Sequence, residues 1–277
     1  MKTVLNTLFI SFLTCTAFGQ HYYNDLLTSS DFMKKRELYR LNKVKAVQYY
    51  SFDNNNQPIP GFKCDLAINS SFTQITTTTT APVSGTSTNI STFNNTGSLL
   101  EQTDTSEGNK STLSYTYDAA NRLTQVNSKS FSPGNYTSSE QHLWYYNQDG
   151  KPSKMLKIKN GKDTTYISFV VDEQGNVAEE RSVYRGKEQP TIYYYYDNNH
   201  HLTDIVRYNQ RARRLLPDYI FEYNTDGQTS SMLVTTEGSG DYQKWIYTYD
   251  SKGLKAQDLC YSKSKVLIGK VEYKYQF

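Results

Sequence analysis

The residues able to do chemistry are few and scattered. Four histidines occur, His21, His142, His200 and His201, and none stands at a metal-ligand spacing from Cys, Asp or Glu. His200 and His201 are adjacent, but they fall at the tip of an expected turn, where neighbouring side chains diverge. The sequence carries no Ser-His-Asp elbow, phosphate loop or dinucleotide motif. Carboxylates are dispersed, and many aspartates sit where turns are expected. Two of them meeting across a fold would still suit glycoside hydrolysis. The densest basic cluster is Arg207, Arg211, Arg213 and Arg214. It suits a phosphate, a sulfated glycan or lipopolysaccharide, and suits a solvated turn better. The balance is a non-catalytic chain without a cofactor or metal site.

Aromatic residues are the other chemical resource. The chain of 277 residues holds 25 Tyr and 12 Phe, and its 14% aromatic content against 21% charged residues favours strands. A formal charge of +3 is too small to point to nucleic acid. An exposed aromatic stripe stacks on sugars, whereas a buried one is core. Most tyrosines recur in register and read as core. Tyr145, Tyr193 and Tyr195 fall on the opposite strand face and are the candidates for ligand contact.

The elements that must position these residues follow from one recurring pattern: aromatic, any residue, aromatic, Asp or Asn, two residues, then Gly or a substitute. The anchors are Asp53, Asn94, Asp118, Asn147, Asp172, Asp197, Asn224 and Asp250, at intervals of 41, 24, 29, 25, 25, 27 and 26. An Asp or Asn side chain accepts the N–H two residues on. Three residues past the anchor the chain wants positive φ, at Asn56, Gly97, Asn121, Gly150, Gly175, His200, Gly227 and Gly253. Gly, Asn and His tolerate that conformation best. Each anchor thus marks a hairpin tip. Positions one, three and five before it are apolar, as in Tyr117, Tyr115, Leu113 and Tyr249, Tyr247, Trp245, which gives strands half-buried on one face.

The N-terminus reads as an export signal over residues 1–19. Lys2 precedes an apolar run from Val4 to Thr14, and Ala17-Phe18-Gly19 supplies a cleavage site after Gly19. No later segment reaches the ~20 apolar residues of a membrane helix. Lipidation at Cys15 is not expected, because Thr14 and Phe12 stand where small and Leu residues are needed. Residues 20–45 form a lead-in that favours a short helix, and 46–277 the repeat domain. Residues 63–110, rich in Ser and Thr, read as an irregular insert with a long polar loop that spans the one long interval. Export would leave two cysteines, Cys64 and Cys260, free to pair or not. In an open ribbon of ~16 strands at ~4.8 Å they would lie roughly 70 Å apart. A bond between them would therefore mean closure, and free thiols an open ribbon.

Tyr115-x-Tyr117-Asp118-x-x-Asn121-Arg122-Leu123 resembles the YD repeat of Rhs-type and wall-associated bacterial surface proteins. The likeness covers roughly Gln48 to Phe277, without an Rhs core or a C-terminal toxin domain. It implies a spiralling antiparallel β-ribbon at a bacterial cell surface. The expected architecture is thus all-β, an antiparallel meander of about eight tandem Tyr-rich hairpins of ~24–29 residues, forming a curled or spiral sheet. The expected role is an exported, non-catalytic structural or interaction module at the cell envelope, with an unidentified protein or glycan partner. Carbohydrate binding is one alternative. An outer-membrane β-barrel is another, suggested by a last strand that ends Tyr273-x-Tyr275-x-Phe277.

Overall fold

A computed structural model describes residues 21–134, 136–210, 212–235 and 240–277. The expected signal segment and Arg211 lie outside them. One helix, α1 (Asn24–Leu41), precedes nineteen strand segments. These are β1 (Ala46–Phe52), β2 (Lys63–Ile68), β3 (Gln74–Ala81), β4 (Gly85–Phe93), β5 (Leu99–Ser106), β6 (Asn109–Tyr117) and β7 (Leu123–Ser132). Then come β8 (Tyr136–Tyr146), β9 (Pro152–Lys159), β10 (Asp163–Val171), β11 (Val177–Tyr184), β12 (Lys187–Glu188) and β13 (Ile192–Tyr196). The series ends with β14 (Leu202–Asn209), β15 (Arg214–Tyr223), β16 (Thr229–Thr235), β17 (Tyr242–Tyr249), β18 (Lys255–Ser262) and β19 (Leu267–Gln276).

Strands pair antiparallel in chain order, and β19 then pairs with β1 from Ala46↔Gln276 to Phe52↔Lys270. The two-residue β12 shares one place in the wall with β13, since both pair with β11. The sheet is therefore a closed antiparallel barrel of 18 strands. The all-β expectation stands, but the curled or spiral meander of eight repeats does not. The ends of the sheet meet, and nine hairpins form the wall. Closure has a local cause. A register shift sits beside seven tips at one rim: Thr92/Phe93, Thr116/Tyr117, Tyr145/Tyr146, Val170/Val171, Tyr195/Tyr196, Glu222/Tyr223 and Thr248/Tyr249. A bulge bends its strand and raises the local twist. Repeated at seven hairpins on the same rim, it turns the sheet back on itself and removes both edges.

The long interval also resolves. Alternating strand direction puts Asp53 at the rim opposite the other anchors. The hairpin tip that belongs with them is Asn69, 25 residues before Asn94. Its Oδ1 accepts the N–H groups of Thr73 and Gln74 at 2.9 and 3.0 Å, and Phe72 takes the positive φ of 54°. A Phe at that place hides the repeat. Residues 63–110 accordingly form regular strands β2 to β5 and not an irregular insert, because β-branched Thr suits a pleated wall.

Cys64 on β2 and Cys260 on β18 are buried and free. Closure leaves them three strand steps apart, roughly 14 Å at ~4.8 Å per step, too far for a disulfide. Free thiols therefore coexist with a closed wall, contrary to the link drawn above. Closure joins the two ends of the sheet without joining these side chains.

The repeat owes its Tyr to a hydrogen bond. The hydroxyl of the residue before the tip donates to the carbonyl five past the preceding anchor. The bonds are Tyr146 to Leu123 at 2.6 Å, Tyr196 to Val177 at 3.0 Å, Tyr223 to Leu202 at 2.7 Å, Tyr249 to Thr229 at 2.7 Å and Tyr275 to Lys255 at 2.8 Å. Tyr117 holds the same place, but its buried hydroxyl has no partner.

Candidate functional site

The two walls differ in kind. Inward positions carry the core, with Val47, Leu66, Leu99, Trp144, Met155, Ile167, Val177, Ile205 and Leu254 all buried. Outward positions mix Thr, Ser and charges, including Glu101, Lys154, Glu179, Arg181, Lys244 and Glu272, with apolar side chains, including Leu156, Tyr166, Val206, Ile220 and Leu259. Period-two alternation in sequence produces this division. Strands not paired in the ladder make no extensive backbone contact among the described residues.

α1 packs against the inner wall at the rim that carries Asn69 and the seven later anchors. At its N-terminal end, the Glu180 carboxylate accepts the Tyr22 and Tyr23 N–H groups at 3.0 and 2.9 Å and the Tyr194 hydroxyl at 2.8 Å. Glu180 is 2% exposed, and burial lifts its carboxyl above the ordinary value. Beside it, Asp25 Oδ2 lies 2.6 Å from His142 Nδ1 and accepts Trp144 Nε1–H at 3.1 Å. His142 Nε2 lies 2.9 Å from Glu140, which also pairs with Lys157 at 3.1 Å. Burial alone would lower the His142 pKa, but the bonds to Asp25 and Glu140 outweigh it and lift the value to about 9. Midway along the helix, Arg36 Nε donates to the Phe72 carbonyl at 2.8 Å. At the C-terminal end Tyr39 packs on Tyr275, and Asn42 Nδ2 donates to Leu38 O and to Lys252 O. The helix therefore spans the rim from β8–β13 to β18–β19 and is latched at both ends.

This arrangement binds the helix to the inner wall. Both His142 nitrogens are engaged by carboxylates, so the ring offers no free lone pair. Among the described residues no group of three His, Cys, Asp or Glu is placed to hold a metal ion. His21 is buried against Tyr194 and Tyr219, and burial, helped by Arg207, lowers its pKa to about 4.

The remaining residues singled out from sequence stay dispersed. His200 Nδ1 contacts Asn176, while His201 bonds Asp197 and stacks on Tyr223, so the two rings do not converge. Arg207 pairs with Asp218, Arg213 is exposed on the connection before β15, and Arg214 is exposed as the first residue of that strand. The anchor side chains accept N–H groups two and four residues on, as at Asp118, Asp172, Asp197, Asn224 and Asp250. At Asp53, Asn94 and Asn147 the N–H four on is likewise bound. Positive φ occurs at Asn56, Gly97, Asn121, Gly150, Gly175, His200, Gly227 and Gly253.

Tyr145, Tyr193 and Tyr195 point outward but do not form one row. β9, β10 and β11 stand between them, and the ladder row through Tyr145 continues as Lys154, Ser168 and Arg181. Lys154 lies over the Tyr145 ring at 5.1 Å. Sequence reasoning missed the α1 latch, which joins residues more than a hundred positions apart. It also missed Phe131, an outward aromatic out of phase with the core tyrosines, which was a readable signal.

No family model matches the sequence, and no curated protein matches it. Solved structures give distant likenesses. A porin-like protein from Bacteroides uniformis ATCC 8492 aligns at 11% identity over 84% of this chain and 96% of its own, with a TM-score of 0.42. A porin-like protein from Bacteroides vulgatus ATCC 8482 aligns at 12% identity over 84% and 98%, with a TM-score of 0.31. The Photorhabdus luminescens Tc holotoxin pore aligns at 16% identity over 78% of this chain, with a TM-score of 0.35. This chain spans only 12% of that toxin chain. Likenesses of this strength fix neither a family nor a function.

Proposed function

We propose that this chain is an exported, non-catalytic structural or interaction module of the bacterial envelope. It works as a water-exposed barrel sealed at one rim by its own N-terminal helix. The support is the polarity of the two walls. Core residues and α1 pack on the inside, while the outer wall carries the charges Glu101, Lys154, Glu179, Arg181, Lys244 and Glu272 among apolar outward residues such as Leu156, Tyr166, Val206, Ile220 and Leu259. A barrel in lipid needs an unbroken apolar outer band ~25 Å tall, which these charges interrupt. The latched helix also argues against a diffusion pore.

A second reading, an outer-membrane barrel, draws support from closure itself, from the even strand number and from the final Tyr273-x-Tyr275-x-Phe277 strand. No helix among the described residues is long and apolar enough to cross a membrane, which leaves a strand-built crossing open. Fractionation of a bacterial host that exports the full-length chain separates the readings. The water-exposed barrel is recovered without detergent in the periplasmic or secreted fraction. Recovery only from detergent-extracted outer membrane, with heat-modifiable gel migration, would replace it with the membrane reading.

A further inference from the structure

We propose that the outer wall of β3–β8, near the rim opposite α1, binds an acidic polysaccharide laid across the strands. The register aligns six outward residues from consecutive strands in one row: Thr78, Thr88, Thr105, Lys110, Phe131 and Thr137. Five strand steps of ~4.8 Å make the row roughly 24 Å long, the reach of a short oligosaccharide.

Phe131 is 44% exposed on the outer wall, where Tyr50, Tyr145, Tyr166, Tyr195 and Tyr208 are exposed too, and it is the aromatic that lines both grooves found there. A groove of about 420 Å³ opens on one side of its ring and another of about 500 Å³ on the other. Both grooves are lined by Phe131 and Lys110. An exposed aromatic face flanked by hydroxyl groups suits the C–H face of a pyranose, with the threonines meeting the sugar hydroxyls. Charge selects among sugars. Lys110 and Lys129 stand on adjacent strands within the second groove, and neither makes an ion pair among the described residues. Glu107, at the turn end of the first groove, is the one carboxylate in either lining. Two unpaired cations beside an aromatic platform fit a uronic acid or sulfated chain better than a neutral one.

This inference names a ligand class beyond the proposed role and rests on that reading only in requiring the outer wall to face water. The fractionation above decides that point separately. The direct test titrates the exported protein with polygalacturonate, dextran sulfate and neutral dextran. Polygalacturonate is expected to bind. Phe131→Ala should weaken it by about tenfold, the effect of ~1.4 kcal/mol from a lost stacking platform. The double variant Lys110→Gln/Lys129→Gln should weaken it and flatten its salt dependence. Tyr145→Ala should leave binding intact, and the melting temperature of Phe131→Ala should match the parent because the side chain is on the outside. Failure to bind polygalacturonate, or binding unchanged by Phe131→Ala, would overturn the site. Neutral dextran bound as well as polygalacturonate would overturn the acidic assignment, and dextran sulfate bound alone would reduce the groove to a charge effect and overturn the stacking role.

Discussion

Five tyrosines should each contribute through one oxygen atom. Tyr146, Tyr196, Tyr223, Tyr249 and Tyr275 donate their hydroxyls to strand carbonyls at 2.6–3.0 Å. Tyr→Phe at any of them keeps the ring packed and removes only that bond, a loss of about 1 kcal/mol. In a domain of this size, that lowers the melting temperature by about 2–4 °C. Tyr146 and Tyr196 stand four strands apart and the later successive sites two, roughly 10 Å or more, so their effects should nearly add. The fivefold variant should then melt about 10–20 °C lower. The control is Tyr117→Phe, which removes a buried hydroxyl that has no partner and should be neutral or stabilising. Thermal unfolding followed by circular dichroism, with urea unfolding for the free energies, reads all six variants. A loss at Tyr117→Phe equal to the others would refute the bond as the reason for Tyr, since ring packing alone would then explain the repeat.

Three further outcomes follow from the same contacts. Glu180→Ala strands two N–H groups and a hydroxyl, so it should cost at least ~3 kcal/mol and expose α1 to limited proteolysis; an unchanged cleavage pattern would remove Glu180 from the latch. Gly253→Val, at a φ of 75° and with a Cβ that would meet Gln228 Nε2 at 3.1 Å, should cost ~1–3 kcal/mol more than Gly240→Val, where φ is not positive; equal shifts in melting temperature would contradict this. His142, lifted to about 9 from 6.5, stabilises fully below about pH 6.5 and loses that contribution as pH rises through 9. His142→Gln should accordingly flatten the fall in stability over that window, and an identical slope in parent and variant would show that the Asp25–His142–Glu140 chain holds nothing.

Local chemistry was legible because hairpin tips depend on neighbours in sequence. The side chain of Asp118 and the positive φ of Asn121 concern residues within four positions of each other. Closure was not legible, because it depends on small bends accumulated over many bulges, each of which looks like an ordinary turn. Asn69 escaped for a simpler reason, since Phe72 stands where Gly or Asn marks the other tips. α1 stood out as a helix-favouring lead-in, but its place in the barrel was hidden. Glu180 and His142 gain their roles only from a wall that turns them inward beneath Tyr22 and Asp25. The free pair Cys64 and Cys260 misled because the distance between them was reckoned along a ribbon and not around a ring.

Pairing of the first and last strands tests the central claim most directly. Gln48 on β1 and Lys274 on β19 are direct partners on the outer wall. Antiparallel partners stand ~4.5–5.5 Å apart at Cα, within disulfide reach. Gln48→Cys/Lys274→Cys, in a chain with Cys64 and Cys260 replaced by Ser, should oxidise to an intramolecular disulfide in the monomer, identified by mass spectrometry of the non-reduced digest. Two free thiols under the same oxidation, or disulfides only between molecules, would mean that the barrel is open.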